Sequence, residues 1–341
     1  MIKTAIVILN WNGESYLKKF LPGVLKNSLD SDVKVYVADN GSTDQSLYIL
    51  RANFPEVELI TFEKNYGFTE GYNKALIEID AQYYLLLNSD IEVTAGWITP
   101  LTDILERDEN TAVVMPKIKA YHKPNHFEYA GAAGGFIDKF GYPFCRGRIL
   151  NVIEEDDGQY DQEIEIFWAT GACMCIKADV FHKSGGFDSF MFAHMEEIDL
   201  SWRLKNMGYK IMFTPKSTVY HVGGGTLPNE HPQKLYYNFR NNLILLYKNL
   251  PKNKLIPTLF SRLILDGVAA IKYFITLKFS FVWAVLRAHY RFYSVVGKYR
   301  KVRRQHADLI VEYPDNILKK SILTQFYLKR IHKFSDLKFD K

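Results

Sequence analysis

The chain has 341 residues, 48% hydrophobic and 24% charged, a globular balance that excludes a disordered protein. Three cysteines (Cys145, Cys173 and Cys175) without paired Cys/His spacing argue against a disulfide framework or a zinc site and fit a reducing, cytoplasmic setting. The net charge of +5 conceals a division: residues 1–235 hold 22 Lys and Arg against 32 Asp and Glu, whereas residues 236–341 hold 21 against 6.

Residues 2–9 form a short β-branched run that reads as a strand rather than a secretory signal. A helical spacing of Tyr16, Leu17, Phe20, Leu21 and Val24 follows over residues 14–26. Strands are expected at 33–38 and 57–62 and helices at 46–53 and 69–80, before the apolar run Tyr83-Tyr84-Leu85-Leu86-Leu87. This β-α-β alternation predicts an α/β domain with a mainly parallel central sheet and right-handed crossovers. In such sheets ligands bind beyond the C-terminal ends of the strands. Further on, 97–106 reads as a helix, 112–115 and 167–176 as strands, and 196–207 as an amphipathic helix. The stretch 121–165 is expected to form loops and short strands rimming an acceptor site, with Glu154-Glu155-Asp156-Asp157 a solvated acidic loop.

Polar groups collect where the strands should end. Asn88-Ser89-Asp90 closes the apolar run, where a carboxylate can hold a divalent metal against a diphosphate; the same triplet also suits an ordinary turn. Asp39-Asn40-Gly41-Ser42 can accept hydrogen bonds from a base or ribose, or can be an Asx-type turn. Asn65-Tyr66-Gly67-Phe68 leads through Gly71-Tyr72-Asn73 into a helix whose N-terminus favours phosphate. Glu196-Glu197-Ile198-Asp199 opens the later helix, where acidic residues suit the dipole and one of them can serve as a general base. His221 precedes Gly223-Gly224-Gly225 and is a candidate metal ligand or a structural histidine, with the glycines a gating loop or a plain turn.

Together these stretches resemble glycosyltransferase family 2 with its GT-A fold, in the branch of rhamnosyl- and galactofuranosyltransferases. The resemblance is carried by Ile8-Leu9-Asn10-Trp11-Asn12-Gly13, the four stretches just named, Thr170-Gly171-Ala172, Gly185-Gly186-Phe187-Asp188, and residues 215–221, and covers about residues 1–225. It implies that Asp39 binds the nucleoside of a UDP- or dTDP-linked sugar with Asn10 nearby, and that Asn65, Gly67, Asn73, Asn88 and Ser89 line the donor pocket. It implies Mg2+ or Mn2+ held by Asp90 and His221. Asn88 stands where the family's Asp-any-Asp motif has its first Asp, which leaves Asp90 as the main protein carboxylate on the metal. Glu197, where the family usually has Asp, or its neighbour Glu196, would be the base of an inverting transfer to a saccharide or lipid-linked acceptor in surface polysaccharide synthesis. A nucleotidyltransferase, or a non-catalytic protein that binds sugar nucleotides or membranes, are the alternatives.

The basic region 236–341 is expected to be helical. Its apolar run 263–286 is interrupted by Asp266, Lys272 and Lys278, and a charge near a bilayer centre costs about 2.5–3.5 kcal/mol, so a transmembrane span is not supported. Helices lying in the interface of the cytoplasmic membrane face fit better, with Phe279, Phe281 and Trp283 inserted and Lys/Arg toward anionic headgroups. The neighbouring apolar runs favour membrane over nucleic acid as partner of this basic cluster. These helices could instead pack on the catalytic domain or on a second copy in a homo-oligomer.

Overall fold

A computed structural model describes residues 2–28, 32–223, 231–305, 307–310, 314 and 316–339. Its strands are β1 (Ile2–Asn10), β2 (Val33–Asp39), β3 (Glu58–Thr61), β4 (Ala81–Asn88), β5 (Ile91–Val93), β6 (Thr111–Ala120), β7 (Lys123–Phe127), β8 (Gly135–Asp138), β9 (Pro143–Cys145), β10 (Arg148–Ile149), β11 (Val152–Ile153), β12 (Ile164–Glu165), β13 (Cys173–Lys177), β14 (Lys210–His221) and β15 (Ile317–Leu318). Its helices are α1 (Glu14–Ser28), α2 (Ser46–Asn53), α3 (Gly67–Ile77), α4 (Thr99–Arg107), α5 (Ala178–Lys183), α6 (Glu196–Asn206), α7 (Pro232–Asn249), α8 (Lys252–Ile275), α9 (Phe279–Gln305) and α10 (Ile322–Tyr327).

The large sheet runs β12-β14-β6-β13-β4-β1-β2-β3, with β5 on β14 and β7 on β6. Strands β4, β1, β2 and β3 pair in parallel, as the alternation requires; the near-continuous apolar runs of β4 and β1 are buried, while edge strand β3 is part-exposed. From β13 onward the sheet is mixed, because β13 lies antiparallel between β4 and β6. Helix α3 is fastened to it by Tyr72, a fully buried ring whose hydroxyl donates to the carbonyls of Val7 and Leu87.

Two local expectations change, and a third, loops and short strands over 121–165, holds with an unforeseen partner. Ordered pairing covers only Cys173–Lys177 of the strand read over 167–176; upstream of it Trp168 makes an isolated bridge to Gly135. Within 121–165 a second sheet, β11-β10-β9-β8-β15, forms around Phe136 and Phe144, which stack with Phe334 and Phe339. Its last strand comes from the far end of the chain, a pairing that local pattern does not encode. The acidic loop is solvated only in part: Glu155 and Asp157 are exposed, but Asp156 pairs with Lys117 and Lys119, and Glu154 accepts from Tyr160 Oη and the Phe334 amide.

Residues on both sides of the charge division at 235 share one apolar core, which includes Leu245, Leu246, Leu250, Ile317 and Ile322 beside the sheet residues. Helix α8 is inside-out. Its buried positions are Leu255, Thr258, Arg262 and Asp266, while Ile256, Phe260, Ile264, Val268, Ile271 and Ile275 face outward. Asp266, counted above as an interruption of the apolar run, is fully enclosed between Arg262 (3.0 Å) and His289 (3.0 Å). Arg262 reaches on to the Phe140 carbonyl and covers the Tyr142 ring, which pins the α8–α9 hairpin to the turn between β8 and β9. No described helix is long and apolar enough to cross a membrane.

Candidate active site

Register delivers the first group of polar residues. Asn10 faces Asp39 across β1 and β2, and Leu9 faces Asn88 across β1 and β4, so three strand ends finish level. Asn10 donates through Nδ2 to Asp39 Oδ2 (3.0 Å) and Ser42 Oγ (3.2 Å), while Asp39 Oδ1 accepts the Ser42 amide (2.9 Å). Both Asn10 and Asp39 are fully buried, and Asn10 Oδ1 has no hydrogen-bond partner among the described residues. Gly41 turns the chain with φ +72°, its α-carbon so close to Lys64 that a Cβ would lie 2.5 Å from that backbone.

Asn40, given no role by sequence reasoning, clamps the next loop. Its Nδ2 donates to Asn65 Oδ1 (3.1 Å) and the Gly67 carbonyl (3.0 Å), and its Oδ1 accepts the Tyr66 amide (3.0 Å). Asn65 Oδ1 in turn accepts the Gly67 amide at 2.7 Å. Asn73 lies a turn further along α3 with its amide bonded to the main chain of Phe187 at both ends.

Antiparallel pairing of β14 with β5 puts His221 opposite Ile91 and next to Asp90. The His221 Nε2 to Asp90 Oδ1 distance is 3.2 Å, and His221 Nδ1 lies 3.4 Å from Glu128 Oε2. Burial disfavours the imidazolium, but hydrogen bonding and charge from Asp90 and Glu128 outweigh it and push its pKa up to about 10. Burial also raises the Asp90 carboxyl, yet His221 holds it below the usual carboxylate range. Glu128 gave no sequence signal, being a lone acid in a stretch read as loop. Gly224 and Gly225 lie outside the described residues.

These residues fit a divalent cation bound jointly with a diphosphate. Two adjacent ligands of an octahedral ion at about 2.1 Å stand about 3 Å apart, close to the Asp90–His221 spacing. A histidine ligand commonly offers its other nitrogen to a carboxylate, the place Glu128 occupies. Among the described residues there is no ready cage of three or more His, Cys, Asp or Glu groups. Mg2+ and Mn2+ sites that borrow substrate phosphates do not need one.

The carboxylates of α6 approach the same edge from across β13. The Asn88 amide donates to the Ala172 carbonyl (2.9 Å), and a Cβ on neighbouring Gly171 would lie 3.9 Å from Glu197 Cβ. Glu196 is buried and Glu197 part-buried, each with one oxygen lacking a partner among the described residues. Burial raises the Glu197 pKa to about 7; burial and the adjacent Glu197 raise Glu196 well above the carboxylate range. Asp199 is structural: burial opposes its charge, but Lys248 (2.8 Å) and Arg203 (2.9 Å) keep it ionised. Directly joined, then, are Asn10 with Asp39 and Asp90 with His221, while Glu197 stands beside the loop that borders the end of β4.

The fold is GT-A, and the chain belongs to the family described as Glycosyl transferase family 2, whose profile matches residues 5–185, more than half its length. It is a glycosyltransferase of the rhamnosyltransferase-like branch. It is 25% identical over 234 residues to the N-acetylglucosaminyl-diphospho-decaprenol L-rhamnosyltransferase of Mycobacterium tuberculosis, a match covering 63% of this chain and 75% of that one. Among solved structures it resembles a mannosyltransferase from Pyrobaculum calidifontis in complex with GDP-Man and Mn2+ (TM-score 0.52, 12% identity), over 90% of this chain and 85% of that one. It also resembles GalNAc-T7 with UDP, GalNAc and Mn2+ (TM-score 0.57, 17% identity) over 74% of this chain, which spans about half, 49%, of that structure.

Proposed function

We propose that this protein transfers a sugar, with inversion, from a UDP- or dTDP-linked donor to a hydroxyl of a saccharide or lipid-linked acceptor in surface polysaccharide synthesis. The observation that carries the reading is the approach of Glu197, with a raised pKa and a carboxylate oxygen that has no partner among the described residues, to the strand edge bearing Asp90 and His221. Asp39 and Asn10 hold the nucleoside, and the loop of Asn65 and Gly67 with Asn88 and Ser89 encloses the donor. Asn73 contributes by fixing α3 against Phe187. Asp90 and His221 would hold Mg2+ or Mn2+, which supplies Lewis-acid stabilisation for the departing diphosphate. On the opposite side of the sugar, Glu197 takes the acceptor hydroxyl's proton as the glycosidic bond forms and the bond to the diphosphate breaks, with Glu196 alongside. One base facing the leaving group dictates inversion.

The basic helices of 236–341 dock this catalytic unit at the cytoplasmic membrane surface, a reading supported by the outward apolar face of α8 and the exposed Lys272, Arg287, Arg291, Arg300 and Arg304. Purified protein incubated with a panel of UDP-, dTDP- and GDP-sugars tests the catalytic reading. Release of nucleoside diphosphate, stimulated by Mn2+ or Mg2+ and selective for one sugar, is expected; no release or binding across the panel overturns it.

A further inference from the structure

The turn that leads into Glu196 and Glu197 is built against the backbone's preferences. Phe192 (φ 65°), His194 (φ 69°) and Met195 (φ 72°) are all left-handed without being glycine. Such a turn persists only if its surroundings over-determine it, and here the constraint comes from α7. Asn241 is fully buried and directs Nδ2 at the carbonyls of Met191 (3.0 Å), Ala193 (2.9 Å) and His194 (2.7 Å). Arg240 donates from Nε to Asn241 Oδ1 (2.8 Å), which fixes that amide with its nitrogen toward the turn. Its Nη2 donates to the carbonyls of Phe190 (3.0 Å) and Met191 (2.9 Å).

The same turn touches the donor side. The Phe192 carbonyl accepts the amides of Phe68 (2.9 Å) and Thr69 (3.2 Å) at the start of α3, and its ring lies where a Gly67 side chain would be, 2.5 Å from an added Cβ. Phe192 also stacks on Tyr237 of α7, with ring centroids 5.7 Å apart. One turn thus joins the loop of Asn65 and Gly67 to the helix of Glu196 and Glu197, and one helix from the basic region holds it.

We infer that Arg240 and Asn241 are positioning residues for transfer: through the 190–195 turn they set the distance between Glu197 and the donor loop. This rests on the glycosyltransferase reading above. Asn241→Ser keeps one donor and shortens its reach, while Arg240→Lys keeps the charge and loses the fork that orients Asn241. The full chain is assayed for donor binding, for kcat and KM, and for the pH dependence of kcat. Asn241→Ser is expected to lower kcat about 10- to 100-fold, as small misplacements of reacting groups do. Donor KM should change little, and the acid limb of the kcat profile should move, because the setting of Glu197 changes. Arg240→Lys should show the same pattern in weaker form. A folded Asn241→Ser with wild-type kcat and an unmoved acid limb overturns the inference. So does an equal loss of donor affinity and kcat, which marks a merely structural role. If Asn241→Ser does not fold, Arg240→Lys decides by the same readouts, and loss of fold in both also overturns it. Wild-type protein that transfers no sugar would instead remove the parent reading.

Discussion

Two side chains carry separable demands. As a base, Glu197 must be ionised, and its pKa is raised by burial to about 7, so kcat should fall as pH drops below about 7, approaching tenfold per unit. A pH–rate profile checks this, and a limb near the ordinary carboxylate value would contradict it. Glu197→Gln should still bind donor but lose about 10²- to 10⁴-fold or more in transfer, read by steady-state kinetics beside calorimetric donor binding. His221→Ala should weaken Mn2+ binding in the presence of nucleoside diphosphate by at least about tenfold, measured by titration calorimetry. Legibility at this scale depended on chain position. Asp39, Asn88, Ser89 and Asp90 follow strands and could be found because polar residues that end an apolar run lie on a sheet edge. Glu128 could not, since it reaches His221 only through the pairing of β6 with β14.

Among elements, α6 depends most on distant support. Lys248 of α7 lies between Asp188 (2.8 Å) and Asp199 (2.8 Å), and Asn249 donates to Asp199 Oδ1 (3.0 Å). Lys248→Met leaves Asp199 buried with only Arg203 and Asn249 to answer its charge, and should destabilise the fold by about 3–5 kcal/mol. Urea denaturation measures that loss; a change below about 1 kcal/mol would mean that Arg203 alone suffices. The parallel strands were legible because β1, β2 and β4 are apolar runs separated by helical spacing. The β8–β11 sheet was legible only as short strands, because β15 arrives from nearly two hundred residues away. Helix α8 misled for a different reason. Its charges were visible, but which face they occupy follows from Tyr142, far away in sequence, and from His289 on the neighbouring helix.

For the whole molecule, the issue is what covers the α8–α9 hairpin. Trp283 is 65% exposed, Ile275 73% and Leu277 74%, with basic residues flanking them. The membrane reading predicts flotation with vesicles that contain anionic lipid and weaker flotation with neutral ones. Phe260→Ser combined with Trp283→Ser should reduce the bound fraction at least about tenfold while leaving transfer to a soluble acceptor intact. Undiminished flotation of the double variant would exclude this face. Arg262 and Asp266 fasten the hairpin to the Phe140–Tyr142 corner, so on the membrane reading the angle at which the catalytic edge would meet a bilayer is set by the fold rather than by a tether.

The grip of α7 on the 190–195 turn has a practical corollary for anyone dissecting the chain. A soluble fragment trimmed at the onset of the basic region would discard Arg240, Asn241, Lys248 and Asn249 along with the greasy hairpin. A cut after Asn249 would spare that grip but still strip β15, Ile322 and Phe334 from the second sheet and the shared core, so tails exchanged between related transferases should replace no more than the outward residues of the α8–α9 hairpin.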